Sequence, residues 1–142
     1  MAHLDIELAE AIAAASPDTQ RPIARWAARR AYEVAGIADL DWVAPALRAL
    51  GQGQQLPPPF DVRAQVWPML SGDPRVPRTT VVSLDGQIPN MLRPAMAVPA
   101  LFAATAPDPL DAALGALYHA AVAFGRDEYS ALLEEVRRTY SL

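Results

Sequence analysis

Apolar and polar residues alternate at helical spacing over most of the chain, most regularly between Ser16 and Gly36. There Ile23, Trp26, Ala27, Ala31 and Val34 share one side of a 3.6-residue period, while Arg21, Arg25 and Arg29 line another at four-residue steps. Ser16-Pro17 or Thr19 suits the entry, because a hydroxyl there accepts from a free first-turn N–H and Pro loses no needed donor. Gly36 suits the exit, where positive φ closes the last carbonyls.

Shorter stripes flank this helix. Residues 2–15 predict a first helix with Leu4, Leu8, Ile12 and Ala15 inward and Asp5 and Glu10 outward, its acidic start matching the positive end of the helix dipole. Residues 40–50 predict a third, capped by Asp39 or Asp41, burying Val43, Ala46, Leu47 and Leu50, with Pro45 tolerated near its start.

GQGQQLPPP, residues 51–59, breaks the pattern and reads as an extended surface linker rather than a proline-rich ligand. A short irregular helix follows from Phe60-Asp61-Val62, with Asp61 as cap and Val66, Trp67 and Leu70 on its stripe, curtailed by Pro68 and SGDP. TTVVSL, the turn dipeptide Asp85-Gly86 and QIPNML predict a β-hairpin whose second strand Pro89 keeps short or at an edge. RPAMAVPALFAATAPDP reads as loop with one short helix near 99–105.

The last third is regular again. Asp108-Pro109 opens a helix with Leu110, Leu114, Leu117, Tyr118, Ala121 and Val122 on one face, ending at Gly125. Asp127 caps another, with Tyr129, Leu132, Leu133, Val136 and Tyr140 in its stripe and Glu134 poised to pair with Arg138. AYEVAG and HAAVAFG resemble each other, but two copies separated by a hairpin do not make a solenoid.

Together these elements predict a mainly α fold: a small helical bundle of two antiparallel helical hairpins, with a short β-hairpin and Pro-rich loops inserted. One domain spans residues 1–142, comprising N-terminal helices (1–50), a linker, short helix and β-hairpin (51–107), and a C-terminal helical hairpin (108–142). A chain of 142 residues buries enough surface to fold without disulfides or metal, and with no cysteine it has neither a disulfide framework nor a cysteine-built zinc site.

Charge sharpens the picture. The formal charge is −4, which disfavours general nucleic-acid binding. All twelve cations are arginines. The N-terminal stretch lacks the basic start of a secretory signal, and no apolar run reaches membrane-spanning length, so a soluble cytoplasmic protein is expected, with no membrane contact.

Candidate chemistry is sparse. His3 and His119 have no metal-ligand neighbour at helical spacing, no serine sits in a nucleophile elbow, and there is no phosphate-binding loop, so neither metal nor cofactor is expected. The carboxylate pairs Asp39/Asp41, Asp108/Asp111 and Glu134/Glu135 stand where caps or a solvated helix face are wanted. Enzymatic activity is undecided and disfavoured.

The sharpest signal is the arginine group Arg21, Arg25, Arg29 and Arg30, opposed within its own helix only by Asp18 and Glu33. Arginine's planar fork suits carboxylates and phosphates, so this group is the candidate partner-binding surface. In the competing reading, Glu33, four residues after Arg29, and the acidic first helix satisfy the arginines within the fold. Trp42 and Trp67, near helix ends beside prolines, and His119 mark a second candidate, a pocket or interface. The sequence therefore favours a non-catalytic protein-interaction module, such as an adaptor, regulator or immunity-type inhibitor. The alternatives are a ligand-binding or enzymatic helical domain with a pocket between the hairpins and, more weakly, nucleic-acid binding through the arginine stripe.

Overall fold

A computed structural model describes residue 1 and residues 3–142. Among the described residues the order is α1 (Ile6–Ala14), α2 (Pro17–Val34), α3 (Ala44–Gly51), α4 (Arg63–Gly72), β1 (Thr80–Val81), β2 (Met91–Leu92), α5 (Arg93–Ala104), α6 (Pro109–Phe124) and α7 (Tyr129–Tyr140). The chain is a helical bundle with an inserted two-stranded antiparallel sheet, as its patterning predicts.

The central packing is a three-helix contact of α2 with α6 and α5, with α1, α3, α4 and α7 against its flanks. Small side chains make it: Ala24, Ala27, Ala28 and Ala31 from α2, Ala97, Ala100 and Ala104 from α5, and Ala112, Ala113, Ala116, Ala120 and Ala121 from α6 are all buried. Helices that present alanine approach closely, and a Cβ placed on Gly115 of α6 would meet the Ala103 Cβ at 3.3 Å. Leu8, Ile12, Ile23, Leu101, Leu117 and Leu132 fill the surrounding core.

This packing shifts the expected face of α6. Of its predicted stripe only Leu117 and Ala121 are buried, while Leu110, Leu114, Tyr118 and Val122 lie half-buried at the flank. A helix pressed between neighbours buries its small face, which bulk-weighted periodicity undervalues.

Several helix ends differ from expectation for local reasons. α1 begins at Ile6 because Asp5, instead of facing outward, caps it by accepting from the Leu8 N–H at 3.0 Å. α3 begins at Ala44 behind Val43, so neither Asp39 nor Asp41 is its cap. Likewise α4 and α7 follow Val62 and Glu128 without side-chain caps, which leaves Asp61 and Asp127 outside that role. Asp108 does cap α6, accepting from the Asp111 N–H at 2.9 Å. α2 has Pro17 in its first turn and ends at Val34, with Gly36 turning the chain away at φ 76°.

Two prolines are carried inside helices where the sequence suggests breaks. α4 runs through Pro68 to Gly72, and residues 93–104, read as mostly loop, form the twelve-residue α5 with Pro94 in its first turn and Pro99 inside. An interior proline costs about 3 kcal/mol. In α5, burial of Ala97, Val98, Ala100, Leu101 and Ala104 against α2 and α6 outweighs it. In α4, Val66 and Leu70 face the core but Trp67 is exposed, contrary to its place in the expected stripe.

The hairpin pairs Thr80 with Leu92 and Val81 with Met91. Asp85-Gly86 does form the turn, with Gly86 at φ 79° and its N–H donating to the Ser83 carbonyl at 2.8 Å. The arms between are a loop rather than strand, held by the Ser83 N–H to the Ile88 carbonyl (2.9 Å) and by Asp85 accepting from the Ser83 hydroxyl (2.6 Å).

Candidate functional site

The four arginines of α2 meet different fates. Arg30 is committed inside the fold: its Nε and Nη2 fork onto Glu135 of α7 at 2.9 and 3.3 Å, and its Nη1 donates to Glu33 at 3.2 Å. Its guanidinium also lies over the Phe124 ring, 5.4 Å from the centroid. Burial disfavours its charge, but hydrogen bonds to Glu135 and Glu33 outweigh this and hold it above its ordinary value.

Arg21 donates to three main-chain carbonyls at and just beyond the end of α5: Ala106 at 2.8 Å, Pro107 at 2.9 Å and Ala104 at 3.3 Å. Ala104 ends α5 and its carbonyl is one the helix leaves without an intrahelical donor, while Ala106 and Pro107 belong to the loop that follows, so Arg21 of α2 fastens the exit of α5. Its acceptors are neutral, and its charge has no carboxylate counterpart.

Arg25 makes one hydrogen bond, from Nη1 to the Gly51 carbonyl at 3.3 Å, and its buried Nε has none. Arg29 is exposed and, among the described residues, has neither hydrogen bond nor ion pair. The competing reading, that the fold itself satisfies these arginines, therefore holds for Arg30 and Arg21 and not for Arg29. Glu33 pairs with Arg30 and not with Arg29. From the acidic N-terminal stretch, Asp5 is engaged by Arg137 of α7 at 2.6 Å.

Two adjoining hollows border the stripe and share Arg25 and Leu50. One, of about 300 Å³, is lined by Pro22, Arg25, Trp26, Arg29, Leu47, Leu50, Gly51 and Tyr140. The other, of about 310 Å³, lies among Arg21, Arg25, Leu50, Gly53, Gln54 and residues 104–107. No carboxylate lines either. Trp26 is half-buried and meets Tyr140 edge-on at 6.2 Å, and the Tyr140 hydroxyl donates to the Pro22 carbonyl at 3.2 Å. Patterning alone identified the arginines. The opposite wall, from Leu47, Leu50, Gly51 and Tyr140, is brought there by tertiary packing and carries no sequence signal beyond its apolar spacing.

The second candidate divides. Trp42 lines a shallow groove of about 900 Å³ with Pro58, Pro68, Met69, Asp41, Asp73 and Arg75. Its ring stacks on Phe60 at 5.9 Å, and its indole N–H donates to Asp73 at 2.8 Å. Arg75 links Asp73 (2.8 Å) to Asp41 (2.9 Å), and hydrogen bonds from Arg75 and then Trp42 hold the Asp73 carboxyl well below the usual carboxylate range. An acid so held stays ionised and is committed to its partners, which suits it to orientation rather than proton transfer. Trp67 projects from α4 beside this groove's Pro68 and Met69. His119 belongs to another neighbourhood, its ring edge-on to Tyr118 at 5.3 Å with His3 on Tyr118 at 5.4 Å, and burial lowers its pKa so that it is neutral at pH 7.

Among the described residues no group of three or more His, Asp and Glu side chains is placed to hold a metal ion, and no helix is long and apolar enough to cross a membrane. No protein-family model matches the chain, and comparison with curated proteins and with solved structures finds no match.

Proposed function

We propose that this protein is a non-catalytic docking module that binds another protein, as a cytoplasmic adaptor, regulator or inhibitor, through the arginine face of α2. The observation that carries the reading is that, of the eight arginines without an ion pair among the described residues, Arg21, Arg25 and Arg29 are the three that share one helix at four-residue steps. Arg30, Arg75, Arg93 and Arg137 each have acidic partners within 3.8 Å. A face that keeps positive charge on a chain of net charge −4 is complementary to an acidic surface and repelled by basic ones.

The Trp42 groove supports a second reading, a small-ligand site, because an aromatic wall beside a fixed ion network offers both apolar area and orientation. Nucleic-acid binding is a weaker third, since three cations neutralise few phosphates.

Charge reversal separates these readings. With Arg25→Glu and Arg29→Glu combined, the far-ultraviolet circular dichroism is expected to be unchanged and a stoichiometric protein complex captured by the wild type from nuclease-treated lysate to be lost. Retention of that complex by the folded variant would overturn docking through α2.

A further inference from the structure

Apart from the docking face, we infer that Asp85 is a site of covalent self-modification, isomerisation to isoaspartate through a succinimide, which the folded hairpin holds in check with Ser83 as its guard.

The reaction needs no co-reactant but water. The Gly86 amide nitrogen attacks the Asp85 Cγ, and an N–Cγ bond forms as the carboxyl hydroxyl and the amide proton leave together as water. Water then adds to one of the two carbonyls of the ring. Addition at the main-chain carbonyl breaks its bond to the Gly86 nitrogen and leaves the chain running through Cγ, with the former main-chain carboxyl free. Addition at Cγ restores aspartate, and nothing is oxidised or reduced.

The fold itself requires the residue pair most open to this attack. A side chain on the following residue hinders the attacking nitrogen, and glycine has none. Position 86 needs glycine on two counts, because its φ is 79° and the Arg126 guanidinium lies where a Cβ would stand. Arg126 is held there in turn, its N–H donating to the Val82 carbonyl at 3.1 Å. Asp85-Gly86 is the one aspartate-glycine pair in the chain, and Asp85 is exposed to water.

The same turn withholds both reacting groups. The Gly86 N–H is engaged by the Ser83 carbonyl at 2.8 Å. The Asp85 Oδ1 accepts from the Ser83 hydroxyl at 2.6 Å and from the Gln87 N–H at 3.0 Å. The Ser83 bond first, then that from Gln87, holds the carboxyl below its ordinary value, in the ionised form that has no hydroxyl to lose. Ser83 also ties the turn to its far arm, its Oγ accepting from the Ile88 N–H and its own N–H donating to the Ile88 carbonyl, both at 2.9 Å. Reaction requires these bonds to be given up together. A molecule that stays open long enough to react carries isoaspartate after refolding, so the hairpin tip records time spent unfolded.

The test holds the purified protein in mildly acidic buffer, native or in concentrated urea. Isoaspartate at residue 85 is followed by mass spectrometry after digestion with a protease that cuts before aspartate and not before isoaspartate. Native wild type is expected to react at least about ten-fold more slowly than unfolded wild type. Native Ser83→Ala should react about three- to ten-fold faster than native wild type, and in urea the two should be alike. Ser83→Thr keeps the hydroxyl and should stay slow. Equal rates for native and unfolded wild type would overturn the inference, and so would a native Ser83→Ala no faster than wild type or a Ser83→Thr as fast as Ser83→Ala. The comparison of native with unfolded wild type needs no variant and holds even if one misfolds.

Discussion

Glu33 lies 3.2 Å from Arg30 and, by taking that partner, leaves Arg29 one turn earlier without one. On a helix a carboxylate reaches a cation three or four residues away about equally well, and here Glu135 of α7 decides the choice by fixing Arg30 from the other side. Two neighbouring arginines are thereby assigned different work, one to cohesion and one to the surface.

That division predicts opposite stability responses. Arg30→Ala is expected to cost about 1 kcal/mol, because it breaks a half-buried fork and leaves Glu135 unpaired. Arg29→Ala should lie within about 0.5 kcal/mol of wild type. Urea denaturation of the two variants checks this, and an equal loss in both would contradict the assignment.

The alanine contact between α2, α5 and α6 should be intolerant of bulk. Ala116→Leu, at a fully buried site, is expected to lose about 1–3 kcal/mol by overpacking. Leu114→Ala, on the half-buried flank of the same helix, should cost less than the 2–5 kcal/mol of a core leucine. Thermal unfolding of both variants tests which face of α6 is inside.

Asp5 links stability to acid. Its carboxyl is held below its ordinary value chiefly by the Leu8 N–H and, against some desolvation, by Arg137. A folded pKa below the unfolded one means stability that is present above the ordinary value of 3.8 and is lost as pH falls through the folded value. Asp5→Ala, which removes both the cap and the partner of Arg137, should therefore lower stability at pH 7 by about 1 kcal/mol and flatten the decline below pH 4. Denaturation midpoints of wild type and variant should converge as the solution is acidified.

Tyr32 sets the alkaline side. Its fully buried hydroxyl donates to the Val98 carbonyl at 3.0 Å, and burial raises its pKa well above 10. The unfolded tyrosine ionises first, so this contribution is intact below pH 10 and falls as pH rises past it. Tyr32→Phe should cost about 1 kcal/mol at neutral pH for the lost bond and weaken the alkaline loss of stability. An unaltered alkaline slope would show that Tyr32 ionisation does not govern it.

What could be read from the chain beforehand tracks how local each cause is. The span of α2, the Asp108 cap and the Asp85-Gly86 turn are decided by neighbours in sequence, and all three appear where the pattern puts them. Pro99 within α5 could not be read, because the burial that offsets it comes from α2 and α6. Trp67 likewise keeps a helical register, yet nothing packs over its side of α4. At the candidate site the arginine spacing was legible, whereas the choice of Glu33 and Glu135 by Arg30, and of the Ala104 to Pro107 carbonyls by Arg21, depends on residues distant in sequence.

The three-helix centre also joins one local contact to one that is distant along the chain. α5 and α6 are joined by residues 105–108 and close on each other with little loop entropy, whereas α2 reaches them only after residues 35–92 have been looped out. The local pair is cheap to form early, and the docking of α2 is the topologically costly step that slows folding. The alanine faces of α5 and α6 are covered only across that long connection, and the Arg21 bonds to the chain beyond α5 are among the contacts that span it.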